Sequence, residues 1–169
     1  MGEYRRSRGI LDSHRSPDKR SPRLDTVRIL FLCSGNICRS PFAEVLARQL
    51  NDRNDLEFAS AGTIALSGNP ASATGIAVAA ELGVDMSDHR ATHLTAEVLA
   101  ATDLVYAMEE EHVASVLALD PGARVELLSR NGEPMPDPYG GDRIEYLASY
   151  SLIAVALEDR LTDGDERPG

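Results

Sequence analysis

The sequence predicts an α/β protein: a single three-layer domain in which a four-stranded parallel sheet lies between helices. Strand-like and helix-like segments alternate along the chain, which is the order that produces a parallel sheet covered on both faces. The first strand-like segment is apolar almost throughout, as a buried central strand should be. The 169 residues suffice for one well-buried domain and are too few for two ordinary ones.

The alternation comprises four strand-like and four helix-like segments. In chain order they are a strand at 27–32, a helix opening at 40–41, a strand at 56–60, a helix at 71–82, a strand at 104–108, a helix at 109–119, a strand at 125–128 and a closing helix from Ile144. We expect any ligand site at the carboxyl ends of the strands, where parallel sheets bind their ligands.

The N-terminal elements have clear local signals. Segment 27–32 combines β-branched, aromatic and aliphatic residues. Ser40 can cap the helix that follows, and Pro41 suits the first helical position. Residues 56–60 alternate between apolar and polar, which is typical of a strand, and Gly83 ends the Ala-rich second helix.

The C-terminal elements follow the same logic. The strand at 104–108 is apolar, and Pro121 and Gly122 end the helix after it. Apolar positions from Ile144 onward keep helical spacing. A loop at 129–141 precedes this last helix, and loops longer than about a dozen residues inside compact domains are usually functional.

Charge is divided unevenly along the chain. Residues 1–25 hold 7 Lys and Arg against 4 Asp and Glu, whereas residues 26–169 hold 10 against 23, so the net charges are +3 and −13 and give the total of −10. We predict a disordered basic leader at 1–25, the folded domain at 26–163 and a flexible tail at 164–169.

The composition also excludes functional classes. An acidic body repels nucleic acid and anionic membrane surfaces. The sequence has neither a segment suited to crossing a bilayer nor the apolar stretch of a secretory signal. We therefore expect a cytoplasmic protein that binds no nucleic acid and does not insert into membranes.

Its two cysteines do not make a disulfide framework, so chemistry or packing must explain them.

A polar loop links the first strand to the first helix; its sequence is Cys33-Ser34-Gly35-Asn36-Ile37-Cys38-Arg39-Ser40. Such a loop points backbone N–H groups inward at a helix N-terminus and forms an anion cradle. Gly35 can supply the backbone angle of a tight wrap, and Arg39 matches two phosphate oxygens. Cys33 then lies in a positive site, where a thiol ionises readily and can attack a bound phosphoryl group. Ser40 can steady that thiolate with a hydrogen bond.

Expelling the leaving group requires a proton, and the long loop offers Asp137 as its source. Pro136 and Pro138 flank this acid and restrict the position of its carboxyl. The same carboxylate can then take a proton from the water that hydrolyses the phosphocysteine. Together with Cys33 and Arg39, Asp137 predicts a phosphatase that needs no metal or cofactor.

With these motifs in this order, the chain resembles the low-molecular-weight protein tyrosine phosphatases. The resemblance rests on the Cys-x5-Arg-Ser loop and on three later segments: Ser60-Ala61-Gly62-Thr63, the strand into Met108, and Asp137-Pro138-Tyr139. It implies the sheet order 2-1-3-4, with the loop after the first strand. It also implies Cys33 as nucleophile, Arg39 as phosphate clamp and Asp137 as general acid and base.

Further roles follow from the same resemblance. The implied phosphate-binding loop comprises Ser34, Gly35, Asn36, Ile37, Cys38 and Ser40. Tyr139 is expected to form a wall for the substrate ring, and Asn36, Ser40 and His89 to brace the loop. A zinc site shared by His89 and His93 has no evident third ligand, so packing or loop bracing is favoured over metal binding.

Departures from the family pattern bear on the substrate. Many members carry an aromatic residue where this chain has Ile64-Ala65-Leu66-Ser67, so stacking on the substrate falls to Tyr139. A related branch dephosphorylates phosphoarginine and shares the Gly-Gly after the acid, but it has Thr in place of Ile37 and Phe in place of Tyr139. We favour phosphorylated proteins carrying phosphotyrosine as substrates, with a protein arginine phosphatase as the alternative.

Two less favoured alternatives are an arsenate reductase and a catalytically silent phosphoprotein-binding module. A complete thiol relay for arsenate uses cysteines well downstream, and none follows Cys38. The silent module conflicts with the presence of Cys33, Arg39 and Asp137 together.

Cys38 is predicted to be the redox partner of Cys33. Peroxide converts an ionised thiol to a sulfenic acid, which a nearby thiol traps as a disulfide. Because the loop curls tightly, the two sulfurs should come close enough to bond. The alternative is that Cys38 only packs inside the loop.

Overall fold

The structure, a computed structural model, describes residues 26–162. The predicted leader at 1–25 and tail at 164–169 lie outside these residues. In chain order the elements are β1 Val27–Cys33, α1 Arg39–Leu50, β2 Leu56–Gly62, α2 Ala73–Glu81, α3 Ala96–Ala100, β3 Leu104–Ala107, α4 Glu110–Leu119, β4 Val125–Leu127 and α5 Arg143–Thr162.

The four strands form one sheet in the order β2-β1-β3-β4, and every neighbouring pair is parallel. This confirms the predicted fold class and strand order. Cys33, the last residue of β1, is in register with Gly62, the last residue of β2. On the other side of β1, Leu32 is in register with Ala107 at the end of β3. The carboxyl ends of the strands therefore meet beside the loop that follows Cys33.

Alternation along β1 creates a core on each face of the sheet. Ile29 and Phe31 face a cluster that includes side chains of α1, α2 and α5, and Phe42 of α1 stacks on Tyr150 of α5 with ring centroids 4.0 Å apart. Leu30 and Leu32 face a smaller cluster with α3 and α4. No helix within residues 26–162 is both long and apolar enough to span a membrane.

Two predicted helix starts are shifted. Helix α1 begins at Arg39 with Cys38 as N-cap, and no side chain caps it. The prediction that Ser40 caps this helix is wrong, because the Ser40 hydroxyl is taken up by hydrogen bonds inside the loop. Helix α2 begins two residues later than predicted, because Ser72 is its N-cap and accepts a hydrogen bond from the N–H of Gly75. An N-cap side chain accepts a hydrogen bond from the N–H two or three residues further along the chain, and this bond fixes where the helix starts.

Helix α3 was not predicted. It has five residues, too few to show a helical repeat of apolar positions. Its local signal is Thr95, whose hydroxyl accepts a hydrogen bond from the N–H of Val98.

Candidate active site

The loop at 34–38 connects the end of β1 to the start of α1, so Cys33 and Arg39 occupy its two ends. Among residues 26–162, nothing accepts a hydrogen bond from the backbone N–H groups of residues 34–38. Buried polar groups are normally paired, so a row of unpaired N–H groups at a helix N-terminus forms a ready anion cradle.

Cys33 is buried at the floor of this cradle. Its Sγ lies 2.9 Å from the Oγ of Ser40. The Ser40 hydroxyl also lies 2.8 Å from Nδ2 of Asn36, which donates to it. Ser40 is therefore positioned to stabilise a negative charge on the Cys33 sulfur, as predicted from the sequence.

The backbone turn of the loop is made by Asn36. Asn36 has a φ of 53°, in the left-handed region, and Gly35 does not have a positive φ. The prediction that Gly35 supplies the special backbone angle is therefore wrong. Asparagine tolerates this conformation better than other residues with a Cβ, and here its side chain is held on both sides. Its Nδ2 donates to Ser60 Oγ at 2.9 Å, and its Oδ1 accepts from the N–H of Thr92 at 2.8 Å.

His89 braces the same turn from outside. Its Nε2 lies 2.7 Å from the carbonyl oxygen of Asn36 and donates to it, since a carbonyl can only accept. Gly62 approaches the loop from the sheet: a Cβ at this position would lie 2.5 Å from the carbonyl oxygen of Ser34. The end of β2 is thus in direct contact with the loop backbone.

Arg39 is 1% exposed, and three groups surround its guanidinium. The Nη1 atom donates to the Glu109 carboxylate and, at 2.8 Å, to the carbonyl oxygen of Met135. The Nη2 atom lies 3.5 Å from Oδ2 of Asp137. Within residues 26–162, Nε of Arg39 is the one buried side-chain nitrogen or oxygen without a hydrogen-bond partner. Such an unpaired donor is costly unless an acceptor arrives.

The loop that carries Asp137 is tied down at several points. The N–H of Met135 donates to the carbonyl of Met108 at 2.9 Å, and Ser149 Oγ donates to the carbonyl of Pro136 at 2.8 Å. The Asp137 carboxylate itself accepts from the N–H of Tyr139 at 3.1 Å. The acid is therefore held over the loop at 34–38, while its side chain stays about half exposed.

These elements enclose a cavity of about 450 Å³. Its lining comprises Cys33, Ser34, Gly35, Ile37, Cys38, Arg39, Ile64, Leu66, Asn69, Asp137 and Tyr139. The structure thus brings most of the predicted site residues together around one opening. Asn36 and Ser40 are wholly buried behind the loop and do not line it.

The family model described as low molecular weight phosphotyrosine protein phosphatase matches residues 28–163. The chain belongs to this family. The predicted enzyme class, a protein tyrosine phosphatase, is confirmed with it.

Known members are similar over most of this phosphatase. The low molecular weight protein-tyrosine-phosphatase Etp of Escherichia coli is 36% identical over 135 residues, which cover 78% of this chain and 90% of Etp. Vibrio vulnificus Wzb, solved in complex with benzylphosphonate, is 32% identical with a TM-score of 0.76, covering 81% of this chain and 98% of Wzb. The YwlE arginine phosphatase from Geobacillus stearothermophilus is 29% identical with a TM-score of 0.75, and the match covers 85% of this chain and 98% of YwlE.

Two residues of this phosphatase's site were missed from the sequence. Glu109, the N-cap of α4, accepts a hydrogen bond from Arg39, and His112 is buried beside it with its Nε2 2.9 Å from Ser34 Oγ. The only local signal was a glutamate followed three residues later by a histidine, and that spacing indicates helix capping rather than contact with a distant loop.

Glu109, Glu111 and His112 also bring possible metal-ligand atoms within 4.8 Å of one another. Glu109 already pairs with the Arg39 guanidinium, and both ring nitrogens of His112 have hydrogen-bond partners. The protein's own hydrogen-bond donors therefore already occupy these ligand atoms. A cation bound here would have to compete with Arg39 for the Glu109 carboxylate.

Cys38 lines the cavity and is a buried free thiol. Its Sγ is 3.3 Å from the hydroxyl oxygen of Tyr146 and 3.6 Å from that of Ser72. Burial raises the pKa of the Cys38 thiol, so it is protonated at neutral pH. A bridge to Cys33 has to break these contacts, and the redox role of Cys38 stays a prediction.

Mild peroxide is expected to inactivate the phosphatase with loss of both free thiols, and dithiothreitol to restore activity. Peroxide oxidises Cys33 to a sulfenic acid, and the Cys38 thiol then displaces water to form the disulfide. Cys38→Ser should lose much of the recovery. The measurement is activity before and after reduction, with peptide mapping of the bridge. Equal recovery of Cys38→Ser and wild type would leave Cys38 as a packing residue.

Proposed function

We propose that this phosphatase hydrolyses phosphotyrosine in proteins, with Cys33 as nucleophile, Arg39 as phosphate clamp and Asp137 as general acid and base. The observation that carries the proposal is that, among the residues described, Nε of Arg39 and the N–H groups of residues 34–38 have no acceptor, and all of them lie in one site. A phosphoryl group supplies acceptors for all of these donors at once.

In the proposed first step, the Cys33 thiolate attacks phosphorus from the floor of the cradle. A sulfur–phosphorus bond forms, the bond from phosphorus to the tyrosine oxygen breaks, and Asp137 gives its proton to the departing phenoxide. The loop N–H groups and Arg39 stabilise the charge on the phosphoryl oxygens as it is transferred.

In the second step, Asp137 takes a proton from a water molecule that attacks the phosphocysteine. The sulfur–phosphorus bond breaks and inorganic phosphate is released, with the Cys33 thiolate regenerated. Ser40, 2.9 Å from the sulfur, donates a hydrogen bond that makes the thiolate a better leaving group. Glu109 and the Met135 carbonyl hold Arg39 in place throughout both steps.

The apolar cavity rim favours an aromatic substrate. Ile64, Leu66 and Tyr139 line the opening and are about 70% exposed, so they offer apolar surface to a ring above the cradle. Wzb, which shares the fold, binds benzylphosphonate, an aryl analogue of such a substrate. The proposal places this reaction in the cytoplasm, where free thiols such as Cys33 and Cys38 persist.

Ile37→Thr tests the choice between phosphotyrosine and phosphoarginine. Ile37 lines the cavity and offers a branched apolar wall that favours a phenyl ring over a guanidinium. One such contact is worth about 1–3 kcal/mol in discrimination. The variant should therefore raise phosphoarginine turnover relative to phosphotyrosine turnover by roughly 10-fold.

The measurement compares kcat/KM for matched phosphotyrosine and phosphoarginine peptides. Wild type should prefer the phosphotyrosine peptide, and a wild-type preference for phosphoarginine would contradict the proposed substrate. An unchanged ratio in Ile37→Thr would assign selectivity to other residues of the cavity rim.

A further inference from the structure

Ser34, the residue after the nucleophile, is hydrogen-bonded to a buried histidine. Its Oγ lies 2.9 Å from Nε2 of His112, which is 1% exposed. Among residues 26–162, His112 is the one hydrogen-bond partner of this hydroxyl. Ser34 also lines the cavity that holds Cys33 and Arg39. A residue that lines the cavity thus has its hydroxyl bonded to a ring that is shielded from water.

The backbone decides which nitrogen of His112 carries the proton. The N–H of Glu109 donates to Nδ1 at 3.1 Å, and a backbone N–H can only donate, so Nδ1 is unprotonated. The neutral ring therefore carries its proton on Nε2 and donates it to Ser34 Oγ. The Glu111 carboxylate lies 3.6 Å from Nε2, beyond ordinary hydrogen-bond distance.

The charges around the ring agree with a neutral His112. Burial and, next, the Arg39 guanidinium lower the pKa of His112 from its ordinary value of 6.5, and they outweigh the opposing carboxylates of Glu109, Glu111 and Asp137. At neutral pH the ring is therefore uncharged, and the direction of the hydrogen bond to Ser34 is fixed.

We propose that the Ser34 hydroxyl is a further substrate-binding group of this phosphatase, and that His112 is the positioning residue that aims it. Because Ser34 Oγ accepts from His112, its own proton points away from the ring, where an oxygen of a phosphoryl group in the cradle can accept it. A hydroxyl bonded to a charged oxygen strengthens binding and helps to stabilise charge during transfer. The inference rests on the proposed role of the loop as the phosphate site.

His112 also reaches the other end of the loop. Its Nδ1 and backbone N–H both bond to the backbone of Glu109, the latter to the carbonyl oxygen at 3.0 Å. Glu109 in turn accepts from Arg39. Removing His112 can therefore disturb either Ser34 or Arg39, and the experiment has to separate the two.

Two substitutions of His112 make that separation. His112→Asn keeps an acceptor near the position of Nδ1 and so can retain the bond from Glu109, but it is too short to reach Ser34. His112→Gln extends far enough to place an N–H near the position of Nε2 and can restore the bond to Ser34. Ser34→Ala removes the hydroxyl alone, and Ser34→Thr keeps it. Ser151→Ala is the matched control, because Ser151 is an exposed serine of α5 whose hydroxyl donates to the Leu147 carbonyl of the same helix.

Binding of inorganic phosphate is measured by calorimetry in the Cys33→Ser background, and kcat/KM for para-nitrophenyl phosphate is measured in the Cys33 enzyme. A hydrogen bond from a hydroxyl to a charged oxygen changes a binding constant about 10-fold. Ser34→Ala should therefore weaken phosphate binding and lower kcat/KM by roughly that factor. His112→Asn should lose as much phosphate affinity and kcat/KM as Ser34→Ala. The double variant should lose no more than the more impaired single variant. Ser34→Thr and His112→Gln should keep more of both quantities.

If adding Ser34→Ala to Cys33→Ser left phosphate binding equal to that of Cys33→Ser alone, the proposal that the hydroxyl binds substrate would be overturned. Losses of Ser34→Ala and His112→Asn that multiply in the double variant would overturn the positioning role of His112. If His112→Asn does not fold, the Ser34→Ala and Ser34→Thr pair still decides the first point. Phosphate binding in the Cys33→Ser background does not depend on turnover, so a wrong nucleophile assignment would appear separately, as residual activity of Cys33→Ser.

Discussion

Cys33→Ser is expected to abolish turnover while leaving phosphate binding largely intact. A serine hydroxyl stays protonated at neutral pH and is a poor nucleophile without a base beside it. The only side chain at hydrogen-bond distance from Cys33 Sγ among residues 26–162 is Ser40, which is no base. We expect kcat for para-nitrophenyl phosphate to fall by about 10⁴-fold or more.

Phosphate binding is the control for this variant. The unpaired N–H groups of residues 34–38 and the Arg39 guanidinium remain in place, so calorimetry should show an affinity close to that of wild type. Rapid acid quenching of wild type with radiolabelled substrate should place the label on Cys33. Activity of the serine variant above a trace would contradict the nucleophile assignment.

Asp137→Ala should produce the second-largest loss, and the loss should depend on the leaving group. A phenoxide of high basicity needs a proton as it departs, so general-acid catalysis of about 10²–10⁴-fold disappears with the carboxyl. A nitrophenoxide leaves readily without a proton, so kcat for a nitrophenyl phosphate should fall much less. The measurement is kcat for a series of aryl phosphates plotted against the basicity of the leaving phenol.

Two comparison variants sharpen this test. Asp137→Asn preserves the acceptor for the Tyr139 N–H but carries no acidic proton, so it should behave like Asp137→Ala if the proton is what matters. Glu133→Ala removes an exposed carboxylate from the same loop and should leave the series unchanged. Equal losses for all leaving groups would assign Asp137 a positioning role.

The sequence was sufficient to predict the sheet and most of the residues that meet around the cavity. Strand β1 is apolar on both faces because it lies in the middle of a sheet covered on both sides, and that burial is visible in its composition. Cys33, Arg39 and Asp137 could be singled out because each has a local signal. Cys33 lies at the end of a strand, Arg39 lies at the start of a helix, and Asp137 is flanked by two prolines. Segments that lack a repeat, such as α3, were missed.

Contacts between distant segments were the harder part. The residues around Ser40 predict both a helix cap and a hydrogen bond to Cys33, but nothing there reveals that the hydroxyl also accepts from Asn36 and does not cap the helix. Gly35 was chosen for the turn because glycine is the usual residue there, whereas Asn36 is stabilised in that conformation by Ser60 and Thr92 from other elements. His112 and Glu109 become part of the site only once α4 packs beside the loop.

The preformed cradle has a consequence for the end of each catalytic cycle. Asn36, Gly62 and His89 fix the loop before any substrate arrives, so the donors that we propose for the phosphoryl group of a substrate should also bind free phosphate. We therefore expect inorganic phosphate to be a competitive inhibitor as well as a product. The rate of dephosphorylation would then depend on the phosphate concentration around the enzyme.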